Sequence, residues 1–180
     1  MAVPRAGRYW LRQLKKFPPT VQVIDRRNPI MNSIARLTGV QISVGISADS
    51  VRAPDPDEPE SLTNALVGYV HENGSPADNI PARPFLVPGV KDARAAILVS
   101  FRQAADAVLE GKDPTQYLEQ AGETAKASVQ DKIRTGPFVP LARETVARRK
   151  ARGFAGDKPL NVTLQLLNSI AYRIKTNAGS

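Results

Sequence analysis

The chain has 180 residues, 42% of them hydrophobic, with 25 Lys and Arg against 17 Asp and Glu, one histidine and no cysteine. That length and apolar content suit one domain with a single ordinary core. The lack of cysteine excludes disulfides, thiolate metal sites and a cysteine nucleophile, and His71 alone would have to serve any zinc site or Ser-His-acid triad, so neither an enzyme nor a cofactor is expected.

No apolar run approaches the ~18–20 residues that cross a bilayer, and the N-terminus lacks the apolar core of a secretory signal. A soluble protein made in the cytoplasm, with no membrane partner, is the expectation. Charge is segregated: residues 1–38 carry eight Lys/Arg against one acid, 39–80 one against seven, 81–135 eight against seven, and 136–180 eight against two. Basic ends around an acidic middle suit a polyanionic partner, or copies of one chain meeting head to tail with unlike patches setting the register.

In chain order, residues 1–19 form a short basic amphipathic segment, with Tyr9, Trp10, Leu14 and Phe17 among Arg5, Arg8, Arg12, Lys15 and Lys16, stopped by Pro18-Pro19. Thr20 to Ile24 is β-prone. Pro29 to Leu37 has Ile30, Ile34 and Leu37 at helical spacing before Gly39, so residues 1–38 read as a basic arm with short helices. Val40, Ile42, Val44 and Ile46 alternate with a period of two, predicting a strand at the start of an α+β domain over 39–175. Residues 48–60 hold three prolines and five acids with little to bury, and are expected as an exposed acidic loop. The stretch 61–71 regains apolar character and is read as a second strand, or a helix running into one.

Pro81 and Pro84 fix φ and remove two donors, so Ile80 to Phe85 reads as a stiff extended strap that delivers Phe85 and Leu86 to the core. A helix is predicted from Lys91 to Leu109, with Ala93, Ile97, Phe101, Ala104 and Val108 on one face. Gly111 ends it, and Asp113-Pro114 opens a second helix to Ile133, striped by Leu118, Ala121, Ala125, Val129 and Ile133. The short connection makes the two an antiparallel hairpin. Ala142 to Arg152 is a short basic helix, Leu160 to Ile174 a helical turn or two followed by a strand from Ile170, and residues 176–180 a loose tail.

His71-Glu72 invites an acid-base or metal reading, but the two are adjacent and no second histidine exists. A histidine at a strand end, holding the adjoining turn, is the preferred account. Arg143, Arg148, Arg149, Lys150 and Arg152 could neutralise phosphates or line a channel that DNA passes through.

Two segments together resemble a known family. VGYVHENG followed by IPARPFLVPGV and a long helix is similar to the "HE-G … PARPF" signature of phage tail-completion, minor tail protein Z and virion-morphogenesis proteins. PLARETVARRKARGFAGDKPLNVTLQLLNSIAYRI is similar to that family's C-terminal pattern, except that Asn161-Val162-Thr163-Leu164 stands where Ile-Asp-Thr-Gly is usual. The resemblance covers roughly residues 62–175.

It implies helices packed on an antiparallel sheet, in a subunit that forms a ring, a hexamer, at the head–tail junction of the virion after assembly in the host cytoplasm. Its implied partners are copies of itself, the tail terminator or tail tube, the head connector, and DNA in transit. A tail terminator, a head-completion stopper and a non-specific DNA-binding protein are the alternatives. Residues expected to pack and present an interface are His71, Glu72, Gly74, Pro81, Arg83, Pro84 and Phe85 in the first motif, and Leu160, Leu167, Ser169, Ile170 and Tyr172 in the second.

Overall fold

The structure is a computed structural model, and it describes residues 27–50, 63–153, 158–160 and 164–176. Among the described residues, seven α-helices and two strands run in the order α1 (Arg27–Thr38), β1 (Val40–Ile46), α2 (Asn64–Asn73), α3 (Leu86–Asp92), α4 (Arg94–Leu109), α5 (Thr115–Thr135), α6 (Arg143–Ala151), α7 (Gln165–Asn168) and β2 (Ile170–Thr176), with a 3-10 turn at Pro76–Asp78. The fold is α+β: a two-stranded antiparallel sheet with a long helical hairpin laid on it. The expected basic N-terminal segment up to residue 26, most of the acidic loop, the Asn161–Thr163 departure and residues 177–180 lie outside the described residues.

Helix α5 is the spine, touching α3, α4 and both strands. Its predicted stripe is buried throughout, from Leu118 through Ala121, Ala125 and Val129 to Ile133. Its start is set by Asp113, whose carboxylate accepts from both the backbone N–H (3.1 Å) and the hydroxyl (2.7 Å) of Thr115. Those two bonds hold the Asp113 carboxyl below its usual range.

An isolated two-stranded sheet is at best marginally stable, so this one depends on the helix beneath it. Val44 pairs with Tyr172 and Ile46 with Ile170, which puts the alternating apolar residues of both strands on the α5 side. Gly122 makes room there, since a Cβ at that position would overlap the Tyr172 ring. Thr176 pairs with Val40, so the strand extends one residue into the segment expected as a loose tail.

Two expectations change. The stretch expected as a strand, or as a helix running into one, is helix α2 from Asn64 onward, with no strand among its described residues. Thr63 opens it, its hydroxyl accepting from Leu66 N–H at 3.1 Å, and Gly74 closes it at φ +79°. The helix predicted from Lys91 begins five residues earlier as α3 and breaks at Ala93 before α4. Pro88 is tolerated in α3 because it sits in the first turn, where the N–H that proline lacks would have no intrahelical acceptor.

α3 crosses α5 at close range. A Cβ on Gly89 would come within 2.7 Å of Val129 Cα, and the Ser128 hydroxyl donates to Gly89 O at 2.7 Å. Because the obstacle is backbone, Gly89→Ala is expected to push the helices apart. A loss of about 1–3 kcal/mol in urea denaturation is expected, despite alanine's better helix propensity. No change or a gain would refute the contact.

Candidate functional site

The residues of the first motif converge on one device. α2 ends at Asn73, Gly74 turns the chain, and Ser75 and Ile80 exchange backbone hydrogen bonds at 2.9 Å across the Pro76–Asp78 turn. Gly74 has to be glycine, because its φ is positive and a Cβ would sit 2.9 Å from Ala82 N. The strap from Pro81 to Phe85 then runs back past the helix it left, and Arg83 N–H donates to His71 O at 2.6 Å.

His71 therefore lies in the last turn of a helix, not at a strand end, and its backbone carbonyl anchors the strap. The side chain that holds the far end of the strap is Glu72. One carboxylate oxygen accepts from the N–H groups of Phe85 (2.7 Å) and Leu86 (2.8 Å), and the other from Val87 N–H (3.0 Å). These donors stand at the opening of α3, where no intrahelical acceptor exists for them. A carboxylate also suits the positive end of the helix. Pro81 and Pro84 are exposed and act through the backbone, whereas Phe85 is 1% exposed and central to the core.

Arg83 is buried. Its Nε donates to Val139 O at 2.9 Å and its Nη2 to Pro140 O at 3.2 Å, tying the strap to the segment between α5 and α6. Burial lowers its pKa from the ordinary arginine value. Arg83→Lys keeps the charge but loses the fork that spans two consecutive carbonyls. Its expected cost is about 1–3 kcal/mol in a urea melt, with backbone exchange at residues 138–141 accelerated; unchanged exchange there would count against the clamp.

The second motif supplies the opposite wall of the same core. Leu160, Leu167 and Ile170 are buried against Phe85, Val129 and Ile133. The Ser169 hydroxyl donates to Leu166 O at 2.7 Å, closing the α7 turn, and Gln130 of α5 donates to Leu167 O at 3.1 Å. Tyr172 lies over Gly122. The expected packing residues of both motifs thus meet around one core.

The basic set divides. Arg143, Arg148, Lys150 and Arg152 are exposed on or just after α6, which has no buried residue. Arg149 turns inward and donates to Lys158 O at 3.1 Å, and burial together with the nearby Arg83 charge lowers its pKa. It belongs to the structural scaffold, and the other four form the cationic surface.

One feature is not anticipated by the sequence pattern. The predicted α4 stripe is only partly covered: Ala104 and Val108 are buried, but Phe101 is 36% exposed, and outside the stripe Leu98 next to it is 47% exposed and Val99, on the far side of the helix, 52%. Two apolar hollows share Phe101. One, about 420 Å³, lies between β1, α3 and α4 and is lined by Ile42, Val44, Val87, Val90 and Ile97. The other, about 400 Å³, lies between α1 and the hairpin. The signal for it is in Ala95–Phe101, where six of seven residues are apolar and the helix is apolar around most of its circumference.

Among the described residues no helix is long and apolar enough to cross a membrane. In comparisons with family models, curated proteins and solved structures, the chain matches none of them.

Proposed function

We propose that the chain is a structural subunit of the neck of a tailed phage, a homo-oligomeric ring of six copies around the DNA channel that completes the tail and joins it to the head. The observation that carries this reading is an uncovered apolar edge of α4, where Phe101, shared by two apolar hollows, is exposed on the same side of the helix as Leu98 and Leu109. Contiguous apolar surface of this kind is a mark of a protein–protein interface. Copies of the chain can cover it by heterologous contact, one face of each copy meeting a different face of the next, which closes into a ring when the rotation allows.

The resemblance in VGYVHENG and IPARPF points to the same class, and the residues that carry it work together here: Glu72 and Arg83 lock the strap that sets α3, and α3 lines one hollow. The exposed cations of α6 suit a surface facing DNA in transit, where weak, sequence-independent contacts permit passage. Cryo-electron microscopy of particles from the phage that encodes this chain tests the proposal. A ring of this fold at the head–tail junction is the expected result; a particle complete without it would overturn the reading.

A further inference from the structure

We infer that the hollow between α1 and the hairpin receives the basic N-terminal segment, residues 5–17, of a neighbouring copy. The inference rests on the ring reading and names the contact that would link its subunits. The hollow is lined by Ile34 and Leu37 of α1, Phe101, Val108 and Leu109 of α4, and Leu118 of α5, with room for more than one large side chain. Leu109 is 55% exposed and Ile34 37% exposed at its margin.

Charge identifies the occupant. From Phe101 to Glu119 the end of the hairpin beside the hollow carries Asp106, Glu110, Asp113 and Glu119, all exposed, against Arg102 and Lys112, the latter paired with Glu110, so acids outnumber bases by two. A partner for this surface should be apolar on one side and cationic around it. In residues 5–17, Trp10, Leu14 and Phe17 recur at helical spacing on one side, and Arg5, Arg8, Arg12, Lys15 and Lys16 fall on the other. The apolar side matches the hollow and the cationic side matches the acidic hairpin end.

The connection favours a neighbour over the same subunit. Residues 18–26 link the segment to α1 and span at most about 30 Å. To enter its own hollow the chain would have to double back along α1, because Ile34 and Leu37 lie in the C-terminal half of that helix. In the linker PPTVQVIDR, two prolines and four β-branched residues favour an extended course over a reversal. Such a course would carry the segment away from its own hollow, towards the next copy.

Trp10 is the only tryptophan, so its fluorescence reports on this contact in the full chain. At concentrations where the protein is oligomeric, Trp10 should emit to the blue of the chain unfolded in guanidinium. It should return towards the unfolded value on dilution to monomer, and in Leu109→Asp, a change at an exposed position that spares the core. Leu14→Asp should do the same from the arm side.

Mixing settles which subunit is bound. Adding a Trp10→Phe, Leu14→Asp chain, which has an intact hollow and no signal, to the Leu109→Asp chain should restore the blue shift. A blue shift that survives Leu109→Asp overturns the inference. So does one lost in that variant but not restored by mixing, which would place the contact within one subunit. Rings that persist with Trp10 at the unfolded emission would overturn the arm contact and leave the ring reading standing; a blue-shifted Trp10 in open chains that never close would do the reverse.

Discussion

Phe85→Ala is expected to lower the free energy of unfolding by about 3–5 kcal/mol, the range for truncating a fully buried aromatic side chain. Phe85 is 1% exposed and packs in one cluster with Val129, Ile133, Leu160, Leu166, Leu167 and Ile170, so its ring joins α5 to the α7–β2 segment. The site cannot collapse around the loss. Pro84 stiffens the backbone on one side, and on the other the N–H of Phe85 is held by Glu72 at 2.7 Å. The cavity therefore stays open, and its cost adds to the lost transfer free energy.

Against a total stability of about 5–15 kcal/mol for an ordinary domain, this is a large share. Urea denaturation of the purified chain measures it. Phe85→Leu should recover more than half of the loss, because a branched aliphatic side chain fills part of the same space. A loss below about 1 kcal/mol for Phe85→Ala would mean that the strap does not deliver its ring to the core.

Much of the fold is legible because period and punctuation agree. The α5 stripe, Gly111 with Asp113-Pro114 at the hairpin turn, and the alternation from Val40 to Ile46 each have one physical solution, and the structure contains it. The stretch from Asn64 to Asn73 does not, because its apolar residues are bunched in Ala65–Val70 with no clear period, and β-branched valines sit among them. What decides for helix is a pair of caps, Thr63 and Gly74, and a small residue, Gly68, that lets Ile46 pack close.

The start of α3 is hidden for a related reason. Pro84 and Pro88 look like breakers, yet a helix starts between them and runs through Pro88, opened by a carboxylate thirteen residues away from Phe85, which no local pattern reveals. The motif residues are legible as a group, but the division of labour within it is not: the histidine carbonyl, the glutamate carboxylate and the arginine fork each hold a different segment. The exposed face of α4 is written in Ala95–Phe101 yet is easily passed over, since periodicity identifies the apolar face but not whether the same chain covers it.

Glu72→Ala should cost about 2–3 kcal/mol, with a local signature that separates it from Phe85→Ala. Its carboxylate takes three N–H groups, at 2.7, 2.8 and 3.0 Å, and hydrogen bonds to a charged group contribute about 1.5–3 kcal/mol in net terms. Removing it leaves the opening of a seven-residue helix without its cap, and a helix that short has little propensity of its own to keep it folded. Amide exchange should accelerate across Leu86–Asp92 well before the α5 core opens. Glu72→Gln should fall between wild type and Ala, because the amide oxygen can still accept while the NH2 group meets donors.

The same change bears on assembly. Val87, Val90 and Leu86 of α3 line the hollow beside α4, so loosening α3 disturbs the face proposed to meet a neighbouring copy. If that face is the interface, sedimentation should show the oligomer dissociating at protein concentrations where Glu72→Ala monomers are still folded. Oligomers of unchanged affinity, in a variant with accelerated exchange in α3, would place the interface elsewhere on the subunit.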